Sequence, residues 1–216
     1  MIQAILHRLD FEPRHRVLDI GCGDGSLLHE IPLVSSRVGT VLTGEEMARL
    51  AAVPHLAGIQ FYAAPFDDLT NVPGKFDRII VNSCLPLVRT LPNARQALKN
   101  IADLAAPGGK LWLGELFAKE VDRKQYRSKF KAIRRAYRHH GLRFALALLR
   151  HIIRHPRRSE LFIEPRQRMW CIEAEEIPAL AANYGLKVLE IWRCQDMTGD
   201  DFYALQGRYS VLLSKE

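Results

Sequence analysis

The sequence predicts an α/β fold: a doubly wound sheet of seven strands, mostly parallel, with helices on both faces. Three observations predict it. Short apolar runs alternate with helical stretches over the first 117 residues, a glycine-rich turn joins the first run to the first helix, and a helix with two more runs closes the chain after residue 170.

Taken in order, Arg16 to Ile20, Val38 to Leu42, Ile59 to Ala63, Phe76 to Asn82 and Lys110 to Glu115 are short and apolar, as strands buried on both faces must be. Helices are expected at Ser26 to Ile31, Glu45 to Val53 and Asn93 to Ala105. The last follows Pro92 and stops at Pro107-Gly108-Gly109. Further on, Glu173 to Tyr184 reads as a helix ended by Gly185, and Leu186 to Arg193 and Arg208 to Ser214 read as closing strands.

Composition sets the outer limits. At 216 residues and 48% hydrophobic, the chain suits one domain spanning 1–216 with a buried core. No run of apolar residues is long enough for a membrane-spanning helix. Met1 to Asp10 alternates apolar and polar residues without a signal-peptide core, so a cytoplasmic protein is expected. Cys22, Cys84, Cys171 and Cys194 form no CxxC pair, which argues against zinc or a disulfide framework and for a reducing compartment.

Charge is distributed unevenly. Between Lys119 and Arg168 stand sixteen Lys and Arg against four acids, a local net of +12; the remainder carries fifteen bases and twenty acids, a net of −5. A mildly acidic body therefore bears one strongly basic segment, 119–168, expected as a helical insertion after the fifth strand.

The most informative stretch is Val17-Leu18-Asp19-Ile20-Gly21-Cys22-Gly23-Asp24-Gly25. A strand ends near a carboxylate, three glycines alternate, and a helix begins. Glycine is needed where backbone turns sharply and approaches a ligand closely, and the helix start supplies unpaired N–H groups. A dinucleotide fingerprint would read GxGxxG, but its third glycine position here is Ser26.

The pattern DxGxGxG resembles motif I of the class I, Rossmann-like S-adenosylmethionine-dependent methyltransferases. Phe76-Asp77-Arg78-Ile79-Ile80-Val81 looks like that family's fourth strand, and Leu104-Ala105-Ala106-Pro107-Gly108-Gly109-Lys110-Leu111 like its turn into strand five. The resemblance covers roughly residues 15–118, with a weaker match from 170 onward. It implies S-adenosyl-L-methionine as cofactor. It places Asp19 near the methionine portion and the backbone of Gly21, Cys22, Gly23 and Gly25 beneath the cofactor. Asn82, Ser83 and Leu85 would face the methyl group or the methionine end.

Two family positions depart from the pattern. An acid that normally ends strand two and holds the ribose hydroxyls is Leu42 here, and leucine accepts no hydrogen bond. Glu45 or Glu46 substitutes if the strand runs longer, with Glu45 favoured; the competing reading is an acid at a helix N-terminus. After strand three, an Asp that contacts the adenine amino group is replaced by Pro65. Phe66 is then expected to pack against adenine, and Asp67 to supply the lost acceptor. Each lost bond costs roughly 1.5–3 kcal/mol, and both together about two or more orders of magnitude in affinity.

Residues 121 to 155 read as one or two helices broken at Gly141. At 100° per residue, Leu142, Ala145, Leu146, Leu148, Leu149, Ile152 and Ile153 fall on one face and Arg143, Arg150 and Arg154 on another. Three readings stand: a lid whose apolar face packs on the sheet edge or over substrate, a contact with anionic lipid at a membrane surface, and a nucleic-acid contact, which lacks a recognisable module. His139, His140, His151 and His155 have no paired acids or cysteines, so no metal site is expected.

With a sulfonium cofactor the methyl group is already activated, and the protein must align the nucleophile and exclude water. A base is needed only for a hydroxyl or protonated amine. Glu115, at the end of strand five, is the best candidate, with a strand-end structural carboxylate as the competing reading; Tyr126 and His140 rank behind it. The expectation is a methyltransferase acting on a small-molecule or lipid- or phosphate-linked acceptor such as a saccharide. The alternatives are a non-catalytic methyltransferase-like scaffold and an RNA-directed enzyme.

Overall fold

The computed structural model describes residues 1–88, 91–117, 129–154, 171–194 and 208–216. Its sheet has seven strands: β1 (Arg16–Ile20), β2 (Ser36–Val41), β3 (Gln60–Ala63), β4 (Phe76–Asn82), β5 (Ala105–Phe117), β6 (Leu186–Arg193) and β7 (Arg208–Lys215). The order is β3-β2-β1-β4-β5-β7-β6. The first five pair in parallel, and β7 enters antiparallel between β5 and β6. The helices are α1 (Ile2–Leu9), α2 (Ser26–Glu30), α3 (Gly44–Ala51), α4 (Leu91–Leu104), α5 (Lys129–Arg154) and α6 (Ile177–Ala182).

Burial explains why the central strands are continuous apolar runs. Val17, Leu18 and Ile20 of β1 and Ile79, Ile80 and Val81 of β4 are fully buried, because layers cover both faces of the sheet. Two core clusters result. One joins Leu18, Ile79, Leu111 and Val211 to α4 and α6; the other joins Val17, Ile80 and Trp112 to α1, α2 and α3.

Several boundaries differ from the sequence reading, each for a local reason. Met1 to Asp10 holds a helix, α1, which buries Ile5 and Leu9. Arg78 of β4 anchors it by donating to the carbonyls of Leu9 and Asp10 at its C-terminus. β2 ends at Val41 rather than Leu42, because Thr43 caps α3. β5 starts at Ala105, which pairs with Phe76; the Pro107-Gly108-Gly109 turn is a register irregularity inside the strand, with Gly108 at φ 73°. The helix expected from Glu173 to Tyr184 is a 3₁₀ turn, Ala174–Glu176, followed by α6. The Asp77 carboxylate accepts the Arg16 N–H at 2.8 Å and ties β4 to the start of β1.

α5 bends at Gly141 (φ 77°, ψ 179°), as the sequence suggests. The bend sets Ile133 of the first half against Ala145 and Leu148 of the second. The seven apolar residues expected on one face divide in two. Ala145 and Leu148 are buried with Ile152 partly buried beside them, whereas Leu142, Leu146, Leu149 and Ile153 are exposed. Tyr126 and the run from His155 to Arg158 lie outside the described residues, as does the side chain of His140. Among the described residues no helix is long and apolar enough to cross a membrane.

Candidate functional site

In a sheet ordered 3-2-1-4-5, the chain reverses its direction of travel between β1 and β4. Ligands of open α/β sheets bind there, beyond the carboxyl ends of the strands. The glycine loop occupies that position. It leaves β1 with Gly21, Gly23 and Gly25 all at positive φ (72°, 59° and 79°), the region closed to most side chains. At Gly21 an added Cβ would lie 3.1 Å from Cys84 on β4's side. At Gly25, which caps α2, it would lie 2.8 Å from Leu56.

β2 holds this loop in shape through one residue. The Thr40 carbonyl accepts the Cys22 N–H (2.9 Å) and its hydroxyl accepts the Gly21 N–H (3.1 Å). Sequence reasoning missed Thr40, although a lone hydroxyl inside an apolar strand beside the glycine loop is a usable signal. Thr40→Val keeps the shape and removes the acceptor. We expect it to destabilise the fold by about 1–2 kcal/mol and to weaken cofactor binding, as chemical denaturation and calorimetric titration will read.

Asp19 sits under the loop, 3% exposed. Burial pushes its carboxyl up to about 7. The thiols of Cys22 and Cys84 are pushed up to about 12, by burial first and by the Asp19 charge second. Cys84 Sγ lies 3.1 Å from the Ile20 carbonyl and donates to it. Neither cysteine is a nucleophile near neutral pH. Among the described residues no cluster of His, Cys, Asp and Glu is arranged to hold a metal ion.

The resemblance puts a ribose-holding acid at the end of β2, and the residue there is leucine. Leu42 is 63% exposed at the end of β2. Glu46 is committed to a capping box, accepting the N–H groups of Leu42 and Thr43, both at 3.2 Å. Because the strand does not run on, Glu45 lies exposed in the first turn of α3. Beyond β3, Phe66 is half-buried against the larger core cluster, and Asp67 has an exposed side chain whose backbone carbonyl accepts from Asn100.

The opposite side of the crevice is built from the ends of β4 and β5. Asn82 accepts from the Trp112 indole (3.3 Å) and donates to the Ser83 hydroxyl (3.3 Å), so its amide is fixed. Leu85 is fully buried in the core, leaving only its backbone to this edge. Ser83 and Glu115 both adopt positive φ (61° and 58°) without being glycine. Such backbone costs on the order of 1–3 kcal/mol per residue and gathers at functional edges. Glu115 sits in an irregularity where β5 and β7 lose register, and its carboxylate is ion-paired with Arg208 at the start of β7. Arg208 lies ninety-three positions away in the chain, so no local pattern announces the pair.

The carboxyl ends of β1, β4 and β5 thus carry Asp19 with the glycine loop, Asn82 with Ser83, and Glu115, while Glu46 is spent on the cap of α3. A family model described as a methyltransferase domain matches residues 1–191. A ubiquinone biosynthesis O-methyltransferase from Xanthomonas euvesicatoria is 30% identical over 105 residues, 47% of this chain and 43% of that protein. The chain therefore matches less than half the length of that relative. In fold it is similar to the N-methyltransferase NodS from Bradyrhizobium japonicum WM9 (TM-score 0.61, 15% identity, 99% of this chain and 93% of that one). It is also similar to SAM-bound CalS10, an amino pentose methyltransferase from Micromonospora echinaspora (TM-score 0.58, 16% identity, 100% and 87%). The chain belongs to the methyltransferase-domain family, of the class I S-adenosylmethionine-dependent type.

Proposed function

We propose that this chain is an S-adenosylmethionine-dependent methyltransferase whose acceptor is a small molecule or a lipid- or phosphate-linked compound such as a saccharide. The observation that carries the reading is the buried Asp19 beneath a loop whose three glycines all hold left-handed backbone. The residues fit the cofactor. Gly21 and Gly25 leave no room for side chains of their own, Gly23 faces open space, and Asp19 is a buried carboxylate whose charge no cation among the described residues offsets.

When bound, the cofactor supplies an electrophilic methyl group, so the chain's own contribution is binding, alignment and exclusion of water. Asp19 receives the ammonium of the methionine portion, and the backbone of Gly21, Cys22, Gly23 and Gly25 lies beneath. Phe66 offers an apolar face to adenine, with Asp67 beside it. Glu45, exposed at the start of α3, is the acid left to reach the ribose once Glu46 is spent on the cap. Asn82, Ser83 and the backbone of Leu85 stand at the methyl side. Glu115, oriented by Arg208, takes the acceptor's proton.

Glu115→Gln separates the proposed base from a mere strand clasp. We expect cofactor affinity to stay unchanged and turnover to fall roughly 100-fold. Unchanged turnover with a lower melting temperature would leave Glu115 as a clasp for β7. A second reading, a scaffold that binds without catalysing, is favoured by Leu42 and Pro65 at the positions where the family carries acids. Incubation with methyl-labelled cofactor and fractionated small-molecule and lipid extracts tests both. Label entering a fraction supports the enzyme; cofactor binding with no transfer to any fraction supports the scaffold.

A further inference from the structure

We propose that the second half of α5 carries a docking surface for a bilayer containing anionic lipid. Leu142, Leu146, Leu149 and Ile153 recur at intervals of four, three and four, which places them in a line along one side of the helix. At ~1.5 Å per residue the line is about 16 Å long. All four are exposed, by 60%, 43%, 36% and 66%.

Ala145 and Leu148 face the other way, into the small cluster with Ile133 and Ile152 that holds the bent helix together. The outer line is therefore surplus to the helix's own packing. Large aliphatic side chains gathered in water mark a contact surface. Arg143, Arg150 and Arg154 are exposed on the same helix half. Over its full length α5 carries eight Lys and Arg and no acid.

Charge decides the occupant. An anionic bilayer offers acyl chains to the leucines and phosphates to the guanidinium groups in one plane, the arrangement that basic amphipathic helices require. A second copy of this helix would set eight cations against eight, a repulsion that the line of four aliphatic residues would have to overcome. A nucleic acid would satisfy the arginines but give the aliphatic side chains nothing to bury against. The surface does not depend on the methyl-transfer reading.

Sedimentation of the full chain with phosphatidylcholine vesicles, with and without phosphatidylglycerol, tests this at low and high salt. The expected result is partition onto the phosphatidylglycerol vesicles, weakened by salt, and reduced roughly tenfold or more in the double variant L146E/L149E. Thermal denaturation and S-adenosylhomocysteine titration of that variant should match the parent, because both leucines are exposed. Failure of the parent chain to sediment with either vesicle would overturn the proposal, as would unchanged partition of the double variant. Self-association lost in the double variant, without vesicle binding, would assign the surface to a second copy and overturn it too.

Discussion

Asp19→Asn is expected to abolish tight cofactor binding and, in the same protein, to raise the stability of the unliganded fold at pH 8. The two effects share one cause. Asp19 is held at about 7, against 3.8 in an open chain, because burial disfavours its charge. A carboxyl whose folded value is raised adds stability that is complete below about pH 4 and is lost as pH climbs through 7. The unliganded protein should therefore lose stability between about pH 4 and 7 and level off above that. At ~1.4 kcal/mol per pH unit, the ionised group costs a few kcal/mol by pH 8, and the asparagine variant is spared that slope.

A ligand ammonium reverses the balance by pairing with the charge, so cofactor affinity of the parent chain should rise as pH passes through 7. The variant should show neither the affinity nor its pH dependence. Denaturation and titration at pH 5.5 and 8, on both proteins, read all four quantities. Equal stability of parent and variant at pH 8 would mean that Asp19 carries no buried charge there.

Gly25→Val is expected to cost the fold about 2–4 kcal/mol. Its φ of 79° is a steep penalty for a β-branched residue, and the new Cβ would meet Leu56 Cδ1 at 2.8 Å in a buried position. Gly23→Ala makes the contrast. Gly23 has positive φ but nothing within 4 Å of an added Cβ, so only the backbone strain, about 1–2 kcal/mol, applies. Its methyl group would stand in the open space above the loop. The expected pattern is loss of stability for Gly25→Val, and loss of ligand affinity with a largely intact melting curve for Gly23→Ala. A reversed pattern would remove the loop from the binding surface.

The sheet and the glycine loop were legible in the sequence because both obey local rules. Strands covered on two faces must be apolar throughout, and a strand-to-helix bend against a neighbouring strand must be glycine. The misses have equally physical causes. α1 was read as alternation because eight residues give an amphipathic helix little room to show its period; Ile2, Ile5, Leu6 and Leu9 carry the signal in retrospect.

Glu46 was a candidate for the ribose, but Thr43 three residues before it already spells a capping box. The Glu115–Arg208 pair could not be read at all, since it exists only because β7 returns antiparallel beside β5. The division of the α5 residues into a buried set and an exposed set depends on the bend at Gly141, which folds the helix onto itself. Helical periodicity alone placed all seven on a single face.

The central claim is that the crevice between β1 and β4 holds S-adenosylmethionine despite Leu42 and Pro65. Isothermal titration of the folded chain with S-adenosylhomocysteine at pH 8 tests it most directly. The account predicts saturable binding at one site per chain, weaker at pH 6 and lost in Asp19→Asn. Absence of heat at millimolar ligand, from protein that still melts cooperatively, would contradict it.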